Sequence, residues 1–248
     1  MVTQAIIPLA GLGTRLLPLS SVIPKELLPI NGKPNLEYIM DECVQAGIKE
    51  FILVVPKNRP SIKKYFFNDN FYKKIIKKKK NDKRLKEVFK RIKKFQKMIK
   101  FVYQNKPEGT GHAVLQCQKY LKGTHFLMLL ADDLIVKKNC SKEMISLHKK
   151  TKGSVIATRK VERKTLSRWG ILGFKNKTKN SFLINQVIEK PKLSEAPSNY
   201  AIIGRYILPK KILSVLKNQS RGKGGEIHIT DAIKTLVQRN EKFYGNIF

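Results

Sequence analysis

"AIIPLAGLGTRLLPLSSVIPKELLP", residues 5 to 29, opens with an apolar run and passes without a break into a loop holding two glycines, an arginine and a lysine between prolines. The run 5–10 reads as a buried strand. A glycine-rich turn straight after a first strand is the favoured anion position of an open parallel sheet, because ligands bind beyond the carboxyl ends of the strands. Gly11 and Gly13 let the backbone turn sharply and present successive N–H groups to an anion, and Arg15 can add a bidentate contact. Lys25, ten residues on, can reach the same charges. Two cations on a proline-stiffened loop suit a triphosphate, whose leaving pyrophosphate gathers charge that must be stabilised. The loop has neither the third glycine of the dinucleotide fingerprint nor the Gly-Lys-Ser/Thr end of a P-loop.

Outward from that loop, strand and helix patterns alternate. "NLEYIMDECVQAG" carries Leu36, Ile39, Met40, Cys43 and Val44 at helical spacing, with Gly47 as a C-cap. "EFILVVP" (50–56), "IKFVYQ", "HFLMLLADD" and "SVIATRKVE" read as further strands, separated by helices expected over 111–122 and 141–151. This order predicts a largely parallel sheet with helices on both faces.

The 248 residues include 51 Lys and Arg against 18 Asp and Glu, a formal net charge of +33. Such a field attracts any polyanion: nucleic acid, an acidic membrane or a phosphorylated small molecule. Much of the excess lies in "KKIIKKKKNDKRLKEVFKRIKKFQKMIK" (73–100), where Ile75, Ile76, Leu85, Phe89, Ile92, Phe95 and Ile99 recur roughly as one helical face. The lysines then line the solvated faces of one or two helices. Nucleic acid is expected to bind this tract only non-specifically, since no recognisable binding motif accompanies it. No apolar run is long enough to span a bilayer and no signal peptide opens the chain, which predicts a cytoplasmic protein with no membrane partner. Three cysteines, Cys43, Cys117 and Cys140, without C-x-x-C spacing suggest neither a disulfide framework nor a zinc site.

The full string G-x-G-T-R-x-x-P followed by P-K-E-x-L-P is far more specific than its glycines. "PLAGLGTRLLPLSSVIPKELLPINGKP" resembles the N-terminal signature of the sugar-1-phosphate nucleotidylyltransferases, in their uridylyltransferase branch. The resemblance continues in order through "QNKPEGTGHAVL" (104–115), "LLADDLI" (129–135), "WGIL" (169–172), "VIEKPK" (187–192), "APSNYAIIGRYIL" (196–208) and "GGEIHITDAI" (224–233). It implies a Rossmann-like nucleotide-diphospho-sugar transferase fold, a mainly parallel mixed sheet flanked by helices. One nucleotidyltransferase domain would fill residues 1–248, with a Lys-rich helical insertion at about 71–100.

The same resemblance implies UTP and glucose 1-phosphate as substrates, UDP-glucose and pyrophosphate as products, and Mg²⁺ as cofactor. Ala10, Gly11 and Gly13 would approach the nucleotide through backbone, and Gln104 and Gly109 would hold the uracil edge, which needs both a donor and an acceptor. Arg15 and Lys25 would grip the triphosphate, and His112 would shape a helix start. Asp132, at the end of its strand, would be the Mg²⁺ ligand, with Asp133 turned to the other face by strand alternation. Glu189 would accept sugar hydroxyls, Lys190 would pair with the 1-phosphate, and Gly170 would pass close to the sugar ring, where a side chain would collide. Arg15, Lys25 and Lys190 are the expected catalytic cations.

In the family a further segment normally follows "NEKFYGNIF", with a second metal-binding carboxylate and helices that join subunits. The sequence therefore reads as truncated at its C-terminus, a homo-oligomer if complete, with activity impaired by the missing part. Three alternatives stay open: a related thymidylyltransferase, an inactive sugar-nucleotide-binding relative, and a basic nucleic-acid-binding protein.

Overall fold

A computed structural model describes residues 1–136 and 138–248. In chain order the elements are β1 (Gln4–Pro8), the short ribbon β2 (Pro29–Ile30) and β3 (Lys33–Pro34), α1 (Asn35–Gln45), β4 (Glu50–Val55), α2 (Ser61–Phe67), α3 (Asp69–Lys78), α4 (Lys83–Gln96) and β5 (Ile99–Tyr103). They continue with α5 (Thr110–Gln116), β6 (His125–Leu129), α6 (Cys140–Thr151), β7 (Ser154–Lys160), β8 (Gly170–Lys175), β9 (Ser181–Glu189), β10 (Tyr200–Pro209), α7 (Ile212–Lys217), α8 (Ile229–Gln238) and β11 (Phe243–Ile247).

Nine strands form one sheet in the order β5-β4-β1-β6-β10-β7-β11-β9-β8. The first four pair in parallel, with β1 central between β4 and β6, so the loop after β1 opens at the carboxyl edge. Beyond β6 the pairing is mixed: β10 runs antiparallel to both β6 and β7, and β8 and β9 form an antiparallel hairpin. Parallel pairing needs a long crossover, and a hairpin connection forbids it.

Period-two alternation divides the apolar side chains between two faces. Ile6, Ile52, Val54 and Met128 pack with α5, α7 and α8, while Ala5, Ile7, Phe51, Leu53 and Leu127 pack with α1, α2, α4 and α6. Both faces are dry, which is why these strands read as unbroken apolar runs.

Several boundaries differ from the sequence reading. The helix expected over 111–122 stops at Gln116 and gives way to a 3-10 turn at Gln118–Tyr120. The Lys-rich tract folds as α3 and α4, separated where Asp82 caps α4 by accepting from the Leu85 N–H at 2.9 Å. Ile99, counted on the helical face, instead opens β5. The strand read from "HFLMLLADD" ends at Leu129, which leaves Asp132 in a turn beyond the strand. Strand alternation therefore does not orient Asp133.

That turn rests on a buried ionic node. Arg205 on β10 has no exposed surface, and its guanidinium donates from Nη2 to Glu42 Oε2 at 2.9 Å. Glu42, on α1, also accepts from the Ser141 hydroxyl at 2.6 Å and the Ser141 N–H at 3.1 Å, so one carboxylate ties α1, α6 and β10 together. Beside Arg205, Gly204 adopts φ +56° where the β10–β7 register shifts, and its carbonyl accepts from Leu130 N–H at 2.7 Å. A Cβ at Gly204 would stand 2.3 Å from Asp133 Oδ2, so only glycine lets the acidic turn settle there. Glu42→Ala is expected to cost about 3–5 kcal/mol of unfolding free energy, because it strands a buried guanidinium, and Glu42→Leu with Arg205→Met should recover most of that loss. Urea denaturation measures both; a loss below about 1 kcal/mol for the single variant would show the pair to be solvated.

Candidate functional site

The segment after β1 is built from three short 3-10 turns, Thr14–Leu16, Leu19–Ser21 and Lys25–Leu27. Pro18 and Pro24 preset φ ahead of the second and third turns. Gly13 has φ +66°, and its carbonyl accepts from the Ser20 hydroxyl at 2.8 Å, which folds the loop back on itself. At Gly11 the nearest atom to an added Cβ would be Lys25 Nζ at 4.0 Å, so the glycine leaves the way to that ammonium open. Lys25 Nζ meets Asp132 Oδ2 at 2.7 Å, across 107 residues of sequence. The loop after β1 and the turn after β6 are thus joined by one ion pair.

Two cavities meet at that pair. One, of about 210 Å³, is lined by Ala10, Gly11, Lys25, Glu26, Gln104, Gly109, Asp132 and Glu226, among others. The second, of about 400 Å³, is lined by Gly13, Thr14, Arg15, Leu16, Lys25 and Asp132. The first is a narrow slot with an amide at its wall, and the second is a cationic bay. Gln104 is buried, its Nε2 donates to the Gly109 carbonyl at 3.2 Å, and it lies 2.8 Å from His112 Nδ1. His112 Nε2 in turn sits 2.9 Å from Gln116 Nε2. His112, on the first turn of α5, accepts from Gln104 at Nδ1, so its Nε2 carries the proton and faces Glu108 Oε2 at 3.3 Å, an arrangement that helps fix the Gln104 side chain. Gly109 has φ +101°, and a Cβ there would come within 2.6 Å of the Ile227 carbonyl oxygen.

Gly170, Glu189 and Lys190 make a separate cluster. Gly170 is the register partner of Glu189 in the β8–β9 hairpin. Lys190 follows the strand at φ +46°, and its N–H donates to the Trp169 carbonyl at 3.0 Å. That left-handed residue breaks the alternation, and Lys190 Nζ comes to 3.5 Å from Glu189 Oε1 although the two are neighbours in sequence. Glu189 Oε2 accepts from the Thr230 hydroxyl at 2.9 Å. A Cβ on Gly170 would meet Ile202 Cδ1 at 3.0 Å and Glu189 Oε2 at 3.1 Å, so a side chain there would press on neighbours within the protein before it met any ligand. None of these three residues lines the two cavities. Tyr206, buried on β10, has its phenol pushed up by burial first and then by the charges of Glu189, Asp133 and Asp132.

The acids of the site are tuned apart. Burial works against the charge of Asp132, but the hydrogen bond and charge of Lys25, with Arg15 further off, hold its carboxyl below the usual range. Asp133 is pushed up, by burial first and by Asp132 second. Glu26, Glu226 and Thr230 were absent from the sequence-based site. For Glu26 the signal was adjacency to Lys25 in "PKE", and for Glu226 and Thr230 it was the "GGEIHITDAI" string.

Glu26 is only 2% exposed, and burial raises its carboxyl to about 7 against the opposing pull of a backbone hydrogen bond and Lys25. A carboxyl raised in the folded state contributes stability that is fully present below its unfolded value near 4.5 and is lost as the pH rises through about 7. The contribution is about 3 kcal/mol. Wild type should therefore lose stability relative to Glu26→Gln between those pH values in urea titrations, and parallel curves would contradict the burial argument.

The Nucleotidyl transferase family matches this chain over residues 4–72 and 64–248. A UTP–glucose-1-phosphate uridylyltransferase of Staphylococcus saprophyticus subsp. saprophyticus is 36% identical over 98% of this chain and 83% of its own length. A solved UDP-glucose pyrophosphorylase in complex with UDP-glucose is 32% identical, covers 100% of this chain and 91% of its own, and superposes with a TM-score of 0.86. A UTP-bound enzyme of the same kind from Acinetobacter baumannii is 33% identical, covers 100% of this chain and 86% of its own, and has a TM-score of 0.87. With matches of this extent and a shared α/β architecture, the chain belongs to the nucleotidyl transferase family, in its branch of UTP–glucose-1-phosphate uridylyltransferases.

Proposed function

We propose that this chain forms UDP-glucose and pyrophosphate from UTP and glucose 1-phosphate. The observation that carries the reading is the joint at Lys25 and Asp132, where an amide-walled slot and a cationic bay share a wall. The relatives that bind UTP and UDP-glucose support it. In this reading Ala10, Gly11, Gln104 and Gly109 take the uridine in the slot, and Gly13, Arg15 and Lys25 take the triphosphate in the bay. Glu189 and Lys190 take the sugar hydroxyls and the 1-phosphate, with Gly170 leaving the approach of the sugar ring free of a side chain.

A phosphate oxygen of glucose 1-phosphate attacks the α-phosphorus of UTP. The new P–O bond forms as the bond to the bridging oxygen of the β-phosphate breaks, and that oxygen leaves with the electron pair as pyrophosphate. The attacking group is already an anion, so no protein base has to remove a proton. What the chain supplies is alignment of two anions and relief of their repulsion by Arg15, Lys25 and Lys190. Lys25 exchanges its bond to Asp132 for phosphate oxygens as the triphosphate enters.

Asp132 fits a Mg²⁺ ligand. Lys25 holds its carboxyl below the usual range, so it offers charged oxygen to a hard cation. A single carboxylate with the remaining positions left to substrate phosphates is the usual magnesium arrangement. When bound, the ion supplies charge neutralisation at the phosphate oxygens.

Pyrophosphate release, followed with UTP, dTTP, ATP and GTP against several sugar 1-phosphates in the presence of Mg²⁺, tests the reading. UTP with glucose 1-phosphate should be the best pair, and equal rates with dTTP would overturn the base assignment. Lys190→Ala should raise the KM for glucose 1-phosphate by about 10- to 100-fold with little change in that for UTP, the loss expected for a hydrogen bond to a charged group. An unchanged KM removes Lys190 from the site. Asp132→Asn should lower kcat by about 100-fold or more at saturating substrates.

A further inference from the structure

The Lys-rich pair α3 and α4 has no part in the chemistry above, yet it holds much of the charge. Residues 69–100 contain fifteen Lys and Arg against three Asp and Glu. Two of those acids are already committed: Asp69 to Lys93 at 2.9 Å and Asp82 to the α4 cap. Arg91 is the one cation drawn inward, to the buried Glu37 at 2.5 Å. A solvated face would explain the lysines alone.

The apolar residues beside them are what a solvated face does not explain. No side chain of α3 is buried, although the helix is strongly amphipathic. Phe71 is 56% exposed, and Ile75 and Ile76 on the next turn are only half-buried. Tyr72, Val88, Ile92 and Phe95 reach the α1-side core, but Phe71, Ile75 and Ile76 belong to none of the apolar clusters among the described residues. Phe71, Tyr72, Ile75 and Ile76 form an apolar stripe at i, i+1, i+4 and i+5, and Lys73, Lys74, Lys77 and Lys78 flank it. A lysine-edged helix whose Phe/Ile stripe is only partly covered, with Phe71 open to solvent, is the chemistry of a helix that lies in an anionic lipid interface: the rings and methyls enter the acyl boundary and the ammonium groups stay among the headgroups.

From this juxtaposition we propose that α3, supported by α4, docks the protein peripherally on an anionic lipid surface. This differs from spanning a bilayer: among the described residues no helix is long and apolar enough to do that. Charge complementarity decides between occupants. A second copy presenting the same face would bring the same lysines against these, and like charges at contact oppose that pairing. A nucleic-acid backbone would satisfy the lysines but leave Phe71, Ile75 and Ile76 against water or phosphate.

The test uses the full chain and vesicles of equal parts phosphatidylglycerol and phosphatidylcholine, with phosphatidylcholine alone as the neutral control. Wild type should co-sediment with the anionic vesicles and not with the neutral ones, with affinity falling about tenfold or more as NaCl rises from about 50 to about 500 mM. Phe71→Ser with Ile75→Ser and Ile76→Ser should weaken vesicle binding about tenfold or more while heparin binding, thermal melting and UTP-dependent turnover stay unchanged. The single variant Phe71→Ser, at an exposed position, gives the same direction with less demand on folding. Three results would overturn the proposal: no binding of wild type to the anionic vesicles, equal vesicle binding by the serine variants, which makes the face a general polyanion surface, or self-association of wild type that the serine variants abolish.

Discussion

The ion pair between Lys25 and Asp132 is the constraint around which the site is arranged. Its partners are 22% and 54% exposed, so as a source of folding energy it is worth little. Its value is positional. It fastens a loop rich in glycine and proline, with no regular structure beyond single 3-10 turns, to a turn that is itself held from behind by Gly204 and the buried Arg205–Glu42 node. The slot and the bay owe their common border to it. In the absence of ligand each charge keeps a partner, so neither the cation nor the carboxylate has to be held alone in a half-buried cleft.

The acids around that border show how burial divides like groups into unlike ones. Asp132 and Asp133 are adjacent in sequence, but only the first has an ammonium at hydrogen-bond distance, and their carboxyls are driven in opposite directions. Exposure also separates Glu26, dry against the slot, from Glu226, whose side chain is 47% exposed at its other wall. The sugar-phosphate cluster follows a different logic. There a left-handed backbone at Lys190 brings two sequence neighbours onto one side of a hairpin that would otherwise part them.

Much of this was legible in the chain before it was folded. Apolar runs such as "EFILVV" announce two-sided burial, and the glycines, prolines and cations of residues 8–34 announce an anion loop through their spacing. What could not be read was set by distant partners. The turn that carries Asp132 lies outside β6 because β10 bulges at Gly204, 74 residues beyond Leu130, and receives it. Nothing local to "LLADDLI" encodes that bulge. Nothing in the local sequence marks Glu26 as buried, and only the fold makes it dry. Ile99 was placed on a helix because its spacing continues the helical period, whereas pairing with β4 takes it into the sheet. Gly170 was read for its ligand, while its tightest neighbours are Ile202 and Glu189.

Hydrogen exchange with and without UTP and Mg²⁺ tests the central claim most directly, since it reports on backbone order at every segment without a choice of variant. The account requires slower exchange on ligand addition in residues 9–27, 104–112 and 130–133, with no change in α3 and α4. Unchanged exchange in 9–27 together with protection of α3 and α4 would contradict it, and would move the triphosphate from the joint at Lys25 and Asp132 to the lysine-rich helices.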